Sequence, residues 1–184
     1  MTRQDIATIL AEIGTVLGKV DEQEVNELVG AIRSARKIAL VGAGRVGMAV
    51  RGFAMRLAHL GLDAHMLGDA TVPSISEGDL LLVASGSGET QTIYDLVAIA
   101  KKNNARIALI TGNPESRMGT LADVVVKVEA PSKTKLVADF ISVQPMTTLN
   151  EQCLGIFFDA VVLRLMKDMG ETHETMWGRH SNLE

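Results

Sequence analysis

Apolar and polar positions follow two different periods along this chain. Over residues 5–33, apolar side chains recur at helical spacing, and the interruption at Gly18–Asp21 divides this stretch into two predicted helices. Further along, short apolar runs bounded by glycine, serine or charged residues predict buried strands. These strands are Lys37–Val41, Ala64–Leu67, Leu80–Ala84, Ile107–Thr111 and Val124–Val128.

Helical spacing returns between and after the strands. The pattern predicts helices up to about Leu60, from Thr90 to Lys102, briefly after Ser116, and from Thr147 to Met169 with Gly170 as the C-terminal stop. A polar loop is predicted over residues 130–135. The tail 171–184 is polar but contains apolar side chains, so we expect it to dock on the protein body.

Strands that alternate with helices through short turns indicate a parallel sheet covered by helices. The expected fold class is therefore α/β, a three-layer α/β/α sandwich with a five-stranded parallel sheet. A chain of 184 residues fits one domain, which we expect to span residues 1–184. Apolar residues make up 47% of the sequence but aromatic residues only 3%, so the core is predicted to be aliphatic.

Charge and cysteine content argue against several classes of function. The net charge of −4 and the lack of a Lys/Arg run argue against a nucleic-acid partner. The first residues lack the pattern of a signal peptide, and no run approaches the ~18 apolar residues of a membrane span, so we expect a cytoplasmic protein with no membrane segment. Cys153 is the only cysteine and the four histidines are scattered, so no metal site is predicted.

The most informative segment is Ser85-Gly86-Ser87-Gly88-Glu89-Thr90, which follows a predicted buried strand and precedes a predicted helix. Its glycines let the backbone approach a ligand, and the free N–H groups at a helix N-terminus attract anions. Together with the hydroxyls of Ser85, Ser87 and Thr90, this segment predicts a phosphate site. The alternative is a Ser/Gly turn in which Thr90 only caps the helix.

A second glycine loop, Gly42-Ala43-Gly44-Arg45-Val46-Gly47, matches the dinucleotide-binding pattern Gly-x-Gly-x-x-Gly. Asp69 lies near the end of the second predicted strand, where a ribose-binding carboxylate is expected in such proteins. A dinucleotide site is therefore an alternative. Arg45 counts against it, because the pyrophosphate contacts of this loop are normally made by the backbone, and the chain is too short for a separate substrate domain.

Several motifs resemble the sugar isomerase (SIS) domain family. The start of that domain is matched by Gly42–Arg45, Phe53–Leu57 and His59–Gly61, and its phosphate loop by Ser85–Thr90. One branch of the family is matched more specifically by Gln144-Pro145-Met146, by Thr148, Leu149 and Glu151, and by the closing residues Arg179–Glu184. The resemblance covers nearly the whole chain and is weakest over residues 1–30.

This resemblance implies a flavodoxin-like fold and an isomerase. Members of the branch interconvert D-arabino-hex-3-ulose 6-phosphate and D-fructose 6-phosphate through an enediolate, in the ribulose monophosphate route of formaldehyde fixation. The resemblance also implies that no cofactor and no metal is needed. It further implies a homo-oligomer, expected to be a tetramer, with helices 1–35 and the tail 171–184 at subunit contacts.

The resemblance also assigns roles to individual residues. Glu151 is expected to be the base that transfers the proton, although by itself it reads as an ordinary acid in the first turn of a helix. His180 is expected to assist in moving protons, and Arg45 to hold the phosphate or an enediolate oxygen, with a surface ion pair as the alternative. His59 is expected to be structural. The expected substrate-binding residues are Gly44, Arg45, Ser85, Gly86, Ser87, Gly88 and Thr90.

Four positions depart from the usual pattern of the family. Val46 stands where serine is common, Asp69 where a glutamate begins the segment, Thr147 where glycine is usual, and Asn150 where an aromatic residue is found. They leave the substrate preference open, because a lost hydroxyl changes which sugar oxygens can be satisfied. Two alternatives to the expected enzyme therefore remain: a non-catalytic module that binds phosphosugars, and an isomerase of another sugar phosphate.

Overall fold

A computed structural model describes residues 2–131 and 141–183. Its strands are β1 (Ile38–Gly42), β2 (Ala64–Met66), β3 (Leu80–Ala84), β4 (Arg106–Thr111) and β5 (Val124–Lys127). Its helices are α1 (Thr2–Leu17), α2 (Glu22–Ser34), α3 (Gly44–His59), α4 (Gln91–Lys102), α5 (Thr148–Met169) and α6 (His173–Trp177). All predicted strands and all predicted long helices are present, with shifted ends. The predicted polar loop 130–135 lies outside the described residues from position 132 onward.

The five strands form one parallel sheet in the order β2-β1-β3-β4-β5. β1 and β3 are neighbours in this sheet, with Gly42 opposite Ala84, so the loops that follow the two strands leave the same edge side by side. The order of the strands reverses between β1 and β3. Ligands of open α/β sheets bind at such a point, outside the carboxyl ends of the strands.

Both faces of the sheet are buried, which explains the continuous apolar sequences of its strands. On one face, residues such as Leu40 and Leu82 belong to a core with α2, α3 and α5, and α1 packs on α5. On the other face, residues such as Val41 and Val83 pack against α4. This arrangement confirms the predicted three-layer α/β/α sandwich.

Helix ends follow the local signals of the sequence. Oδ1 of Asp21 accepts the backbone N–H groups of Gln23 at 2.7 Å and Glu24 at 3.2 Å, so α2 begins directly after the predicted interruption. Gly170 has a φ of 69° and ends α5 as predicted, because this left-handed conformation suits glycine.

The segment after β4 differs from the prediction. Instead of a short helix, residues 114–121 form consecutive turns, in which the N–H of Ser116 donates to the carbonyl of Asn113. The hydroxyl of Ser116 accepts the N–H of Gly119, and a Cβ at Gly119 would lie 1.8 Å from the carbonyl oxygen of Pro114. Local hydrogen bonds and this close approach favour turns, so the predicted helix is wrong.

The C-terminal tail docks on the body as predicted. It contains α6, which begins after Thr172 in a capping box. Nη1 of Arg179 donates to the carbonyl of His59 at 3.0 Å and to the carboxylate of Glu171 at 2.8 Å. The side chain of Met176 packs against the larger core. The tail is therefore attached to the C-terminal end of α3.

Candidate active site

A cavity of about 630 Å³ opens at the carboxyl edge of the sheet, where the strand order reverses. It is lined by residues 43–46 after β1, by residues within 84–93 at the start of α4, and by residues within 146–151 at the start of α5. The fold thus brings seven residues of the predicted site into one cavity: Gly44, Arg45, Ser85, Gly86, Ser87, Thr90 and Glu151.

Two of the hydroxyls of the loop Ser85–Thr90 accept hydrogen bonds from the loop's own backbone. The hydroxyl of Ser85 accepts the N–H of Gly88 at 3.2 Å, and the hydroxyl of Ser87 accepts the N–H of Glu89 at 3.2 Å. Each serine keeps its own proton to donate to a ligand. Thr90 is the N-cap residue of α4, but its side chain makes no capping hydrogen bond, so its hydroxyl does not satisfy the backbone of the helix.

Gly88 sets the shape of this loop. Its φ is 67°, a left-handed conformation that favours glycine, and a Cβ at this position would lie 1.9 Å from Oγ of Ser116. Ser116 belongs to the turns after β4 and is buried. The phosphate loop therefore rests directly on the neighbouring loop, although Gly88 itself does not line the cavity.

Glu89 introduces a negative charge into the predicted phosphate loop, and Arg117 compensates it. Arg117 donates its backbone N–H to Oε1 of Glu89 at 2.9 Å and its Nε to Oε2 at 2.7 Å. Hydrogen bonds from the backbone and the side chain of Arg117 hold the pKa of Glu89 below its usual range. The sequence analysis missed this pair, although an acid inside a phosphate loop is a signal that a cation must lie nearby.

Glu151 lies in the first turn of α5 and is held by two neighbours. The hydroxyl of Thr147 donates to Oε1 of Glu151 at 2.8 Å, and Nη1 of Arg45 lies 3.0 Å from Oε2. Nη1 of Arg45 also donates to the hydroxyl of Thr148 at 3.3 Å. The departure at Thr147 thus supplies a hydroxyl that fixes one oxygen of the candidate base.

Arg45 covers the second oxygen of Glu151. Oε2 is buried and accepts no hydrogen bond of good geometry within residues 2–131 and 141–183, so its contact with Arg45 is an ion pair rather than a directed bond. The Arg45 side chain is 59% exposed, whereas that of Glu151 is 13% exposed. A ligand oxygen can therefore compete for the guanidinium, because an ion pair with one exposed partner is weak.

The segment before α5 is anchored by Glu12 of α1. Its carboxylate accepts hydrogen bonds from the hydroxyl of Ser142 at 2.8 Å, the N–H of Val143 at 2.8 Å and Nε2 of Gln144 at 2.9 Å. Burial raises the pKa of Glu12, but these hydrogen bonds together lower it further, so the net pKa lies below its usual range. Nothing in the sequence pattern pointed to Glu12.

His180 does not line the cavity within one chain. Its ring lies 5.2 Å from the ring of His59 and 5.1 Å from that of Trp177, measured between centroids. His59 is buried, and its Nδ1 lies 3.3 Å from Nη1 of Arg56. This placement agrees with a structural role for His59, while the proton-transfer role of His180 stays a prediction.

The other departures separate into two groups. Val46 and Asn150 line the cavity, so they contact the space in which a ligand would lie. Asp69 does not line it and instead pairs with Nη1 of Arg51 at 3.1 Å. The carboxylate that the dinucleotide alternative requires is therefore engaged elsewhere.

The described residues contain neither a reactive thiol nor a group of side chains arranged as a metal site. Cys153 is fully buried in α5, and burial together with the charge of Glu12 raises the pKa of its thiol to about 12, so the thiol stays protonated. Among the described residues, no group of three or more His, Cys, Asp or Glu side chains is arranged to hold a metal ion.

Within the described residues, no helix is both long enough and apolar enough to cross a membrane.

Comparison with known proteins agrees with this fold. The SIS domain family matches residues 31–154, and the chain belongs to that family. It is 39% identical to the 3-hexulose-6-phosphate isomerase of Bacillus subtilis over 183 residues, covering 100% of this chain and 99% of the relative. It is 42% identical to the 3-hexulose-6-phosphate isomerase of Mycobacterium gastri over 180 residues, covering 98% and 90%.

A solved structure supports the same family. The crystal structure of a hypothetical protein from Methanococcus jannaschii, for which a function as 3-hexulose-6-phosphate isomerase is inferred, matches with a TM-score of 0.85. The two sequences are 30% identical, and the match covers 98% of this chain and 99% of that one. The flavodoxin-like SIS fold that the motifs implied is thereby confirmed.

Proposed function

We propose that this protein interconverts D-arabino-hex-3-ulose 6-phosphate and D-fructose 6-phosphate, the activity of a 6-phospho-3-hexuloisomerase. The observation that carries the proposal is the position of Glu151 in the same cavity as the loop Ser85–Thr90. An isomerase of this kind needs both a base and a phosphate anchor. Relatives that match along nearly the whole chain are named for the same reaction.

The loop Ser85–Thr90 and the N-terminus of α4 hold the phosphate in this proposal. The first N–H groups of a helix have no helical partner, and the helix dipole favours an anion at its N-terminus. The hydroxyl of Thr90 is not used as a helix cap and is available to donate. Arg117 neutralises the charge of Glu89, which would otherwise repel the phosphate.

Glu151 transfers the proton between the two reacting carbons. Starting from D-fructose 6-phosphate, the carboxylate removes the proton from C3, and the electrons of that bond form the C2–C3 double bond of an enediolate. The proton is then returned to C2, while the hydroxyl proton of O3 moves to O2, so the carbonyl shifts from C2 to C3. The number of protons and electrons is unchanged, so this step needs no redox partner.

Arg45 changes partner during binding. Within the chain its guanidinium covers Oε2 of Glu151. When a sugar phosphate enters, its negative charge draws the exposed guanidinium toward the phosphate or toward the developing charge on O2 and O3. This movement uncovers the carboxylate for proton transfer and places a cation beside the enediolate.

The proposal includes a homo-tetramer with the helices 1–35 and the tail 171–184 at subunit contacts. Leu10 of α1 and Leu163 of α5 are 58% and 68% exposed in the single chain, which suits burial against another copy. His180 lies in the tail outside its own cavity, so its predicted role requires a second subunit. Light scattering of the purified protein tests the tetramer, since a monomer would contradict it.

Location and pathway form part of the same proposal. Sugar phosphates are made and consumed in the cytoplasm, which is where we place the reaction, as a step of the ribulose monophosphate route. A nucleic-acid partner is not included, because the net charge is −4.

The decisive experiment follows solvent deuterium by NMR. Purified protein is incubated with D-fructose 6-phosphate in deuterated water, and we expect deuterium at the exchanging carbon together with the 3-ketose phosphate. Glucose 6-phosphate in a parallel sample tests a 1,2-shift. Binding of fructose 6-phosphate without deuterium exchange would contradict the proposed isomerase activity and favour a phosphosugar-binding module.

A further inference from the structure

Asn150 is a buried polar side chain for which the protein provides no partner. It is the third residue of α5, directly before Glu151, and only 3% of its surface is exposed. Its side chain lines the cavity. Across the described ranges 2–131 and 141–183, neither its amide nitrogen nor its amide oxygen takes part in a hydrogen bond.

The amide occupies a defined place within the cavity. A Cβ built on Gly86 would lie 3.0 Å from Nδ2 and 3.5 Å from Oδ1 of Asn150, so the side chain packs against the first glycine of the phosphate loop. Glu151 follows Asn150 directly in α5 and lines the same cavity. Asn150 therefore contacts the phosphate loop at Gly86 and is the immediate chain neighbour of the candidate base.

Neither polar atom of the amide is among the fully buried, unpaired polar atoms of the described residues, so both atoms reach the cavity space. A ligand that enters the cavity can supply the missing partner. An amide carries both a donor and an acceptor, and a hydroxyl group also donates and accepts. A phosphate dianion or a ketone can only accept hydrogen bonds. Among the groups of a sugar phosphate, a hydroxyl is therefore the one that can pair with both the donor and the acceptor of the amide.

We propose that Asn150 determines substrate specificity by hydrogen bonding to a hydroxyl of the sugar, on the carbons between the reacting pair and the phosphate ester. For D-fructose 6-phosphate these are the hydroxyls on C4 and C5. The inference rests on the proposed function in one respect, namely that the ligand is a sugar phosphate held at Ser85–Thr90. It does not depend on turnover.

The test measures binding rather than activity. Asn150→Leu keeps a similar volume but removes both polar atoms. We expect its affinity for D-fructose 6-phosphate to fall by about tenfold, the effect of losing one buried hydrogen bond. Its affinity for inorganic phosphate should stay that of the wild type, because the phosphate loop is unchanged. Asn26→Leu, at an exposed position on α2, is the matched control and should bind both ligands normally.

Two further measurements separate this role from a structural one. The unliganded N150L variant should unfold at a temperature equal to or above that of the wild type, because no intramolecular hydrogen bond is lost. Titration with 4-deoxy and 5-deoxy analogues of D-fructose 6-phosphate should identify the hydroxyl, since wild type and N150L should bind the analogue that lacks it equally well.

The outcomes distinguish this inference from the proposed function. Equal affinity of wild type and N150L for D-fructose 6-phosphate would overturn it, as would an equal loss for inorganic phosphate or a less stable unliganded variant. If the wild type binds D-fructose 6-phosphate without isomerising it, the proposed reaction is wrong, but the binding role of Asn150 is unaffected. If the wild type does not bind D-fructose 6-phosphate, both the proposed reaction and the role of Asn150 are wrong.

Discussion

Arg117 encloses the carboxylate of Glu89 with its backbone N–H, 2.9 Å from Oε1, and its side-chain Nε, 2.7 Å from Oε2. The same guanidinium donates to the carbonyl of Glu89 at 2.9 Å and lies 4.5 Å above the ring of Tyr94. An acidic residue in the phosphate loop is thus tied to the loop that follows β4. The pair fixes the loop and removes the charge that would repel a phosphate.

Removing the cation should weaken phosphate binding. In Arg117→Gln, Glu89 keeps its charge without a compensating partner, so the site becomes more negative. We expect the affinity for D-fructose 6-phosphate to fall by about fivefold at low ionic strength, since both groups are partly exposed and screened by water. Calorimetric titration at low and at high salt measures the effect, which should shrink as salt increases.

The double variant Glu89→Gln, Arg117→Gln is the control for this prediction. It removes both charges, so repulsion of the phosphate disappears and affinity should return toward that of the wild type. A double variant that binds as weakly as R117Q would show that the loss comes from the shape of the loop and not from its charge.

Gly88 should not tolerate a side chain. In Gly88→Ala the residue must keep a φ of 67°, which costs about 1–2 kcal/mol for a residue with a Cβ. The new Cβ would also lie 1.9 Å from Oγ of Ser116, so the phosphate loop has to shift. We expect lower stability in urea denaturation and loss of binding to inorganic phosphate.

Two further variants show whether backbone strain or the clash with Ser116 destabilises Gly88→Ala. Gly52→Ala in α3 meets no atom within 4 Å and should be neutral or stabilising by about 0.4–1 kcal/mol. Adding Ser116→Gly to G88A removes the clash but not the backbone strain, so it should restore part of the stability. If G88A is as stable as the wild type and binds phosphate normally, the position assigned to Ser116 is wrong.

Local sequence signals predicted most of the fold. The run Leu80–Ala84 is bounded by Asp79 and by the Ser/Gly loop, and β3 has these same ends. The start of α2 followed from the interruption at Gly18–Asp21, and the end of α5 followed from Gly170. The segment after Ser116 was not predicted, because its turns depend on the close approach of Gly119 to Pro114, which leaves no periodic pattern. The strand order also depends on contacts between distant segments.

The site could be predicted only in part for the same reason. Glycines and hydroxyls in one short segment predicted the phosphate loop, which the fold places at the cavity. The contacts between Arg45 and Thr148 and between Glu12 and Gln144 join residues 103 and 132 positions apart, so no sequence spacing indicates them. The motif resemblance pointed to Glu151, but the folded chain was needed to find Thr147 on one of its oxygens.

Replacing the candidate base should separate chemistry from binding. In Glu151→Gln the side chain keeps its size and an oxygen for the hydroxyl of Thr147 but cannot accept a proton from carbon. We expect the turnover number to fall by a factor of about 10² to 10⁴. The dissociation constant for D-fructose 6-phosphate should stay within a few-fold of that of the wild type. An active E151Q variant would exclude Glu151 as the base.

The anchor at Glu12 should make stability depend on pH. The folded pKa of Glu12 is lower than its ordinary value of 4.5, so its ionised form binds the segment 142–144 more strongly than its protonated form. The stabilisation is therefore fully present above about pH 4.5 and is lost as the pH falls through the lowered folded pKa. In Glu12→Gln one acceptor oxygen becomes a donor that faces Ser142 and Gln144, which are donors themselves.

At pH 7 we expect E12Q to be less stable than the wild type by about 1–2 kcal/mol, the scale of a lost hydrogen bond to a charged group. The difference should shrink as the pH falls below 4.5 and through the lowered pKa of Glu12, because the wild-type carboxylate then becomes protonated as well. Urea denaturation between pH 3 and 7 measures both values, and Asp159→Asn, an exposed position on α5, should show no such trend. Because residues 142–146 lead into α5, E12Q should also lower turnover at pH 7 through displacement of Glu151. A constant difference across the whole pH range would mean that the charge of Glu12 does not hold this segment.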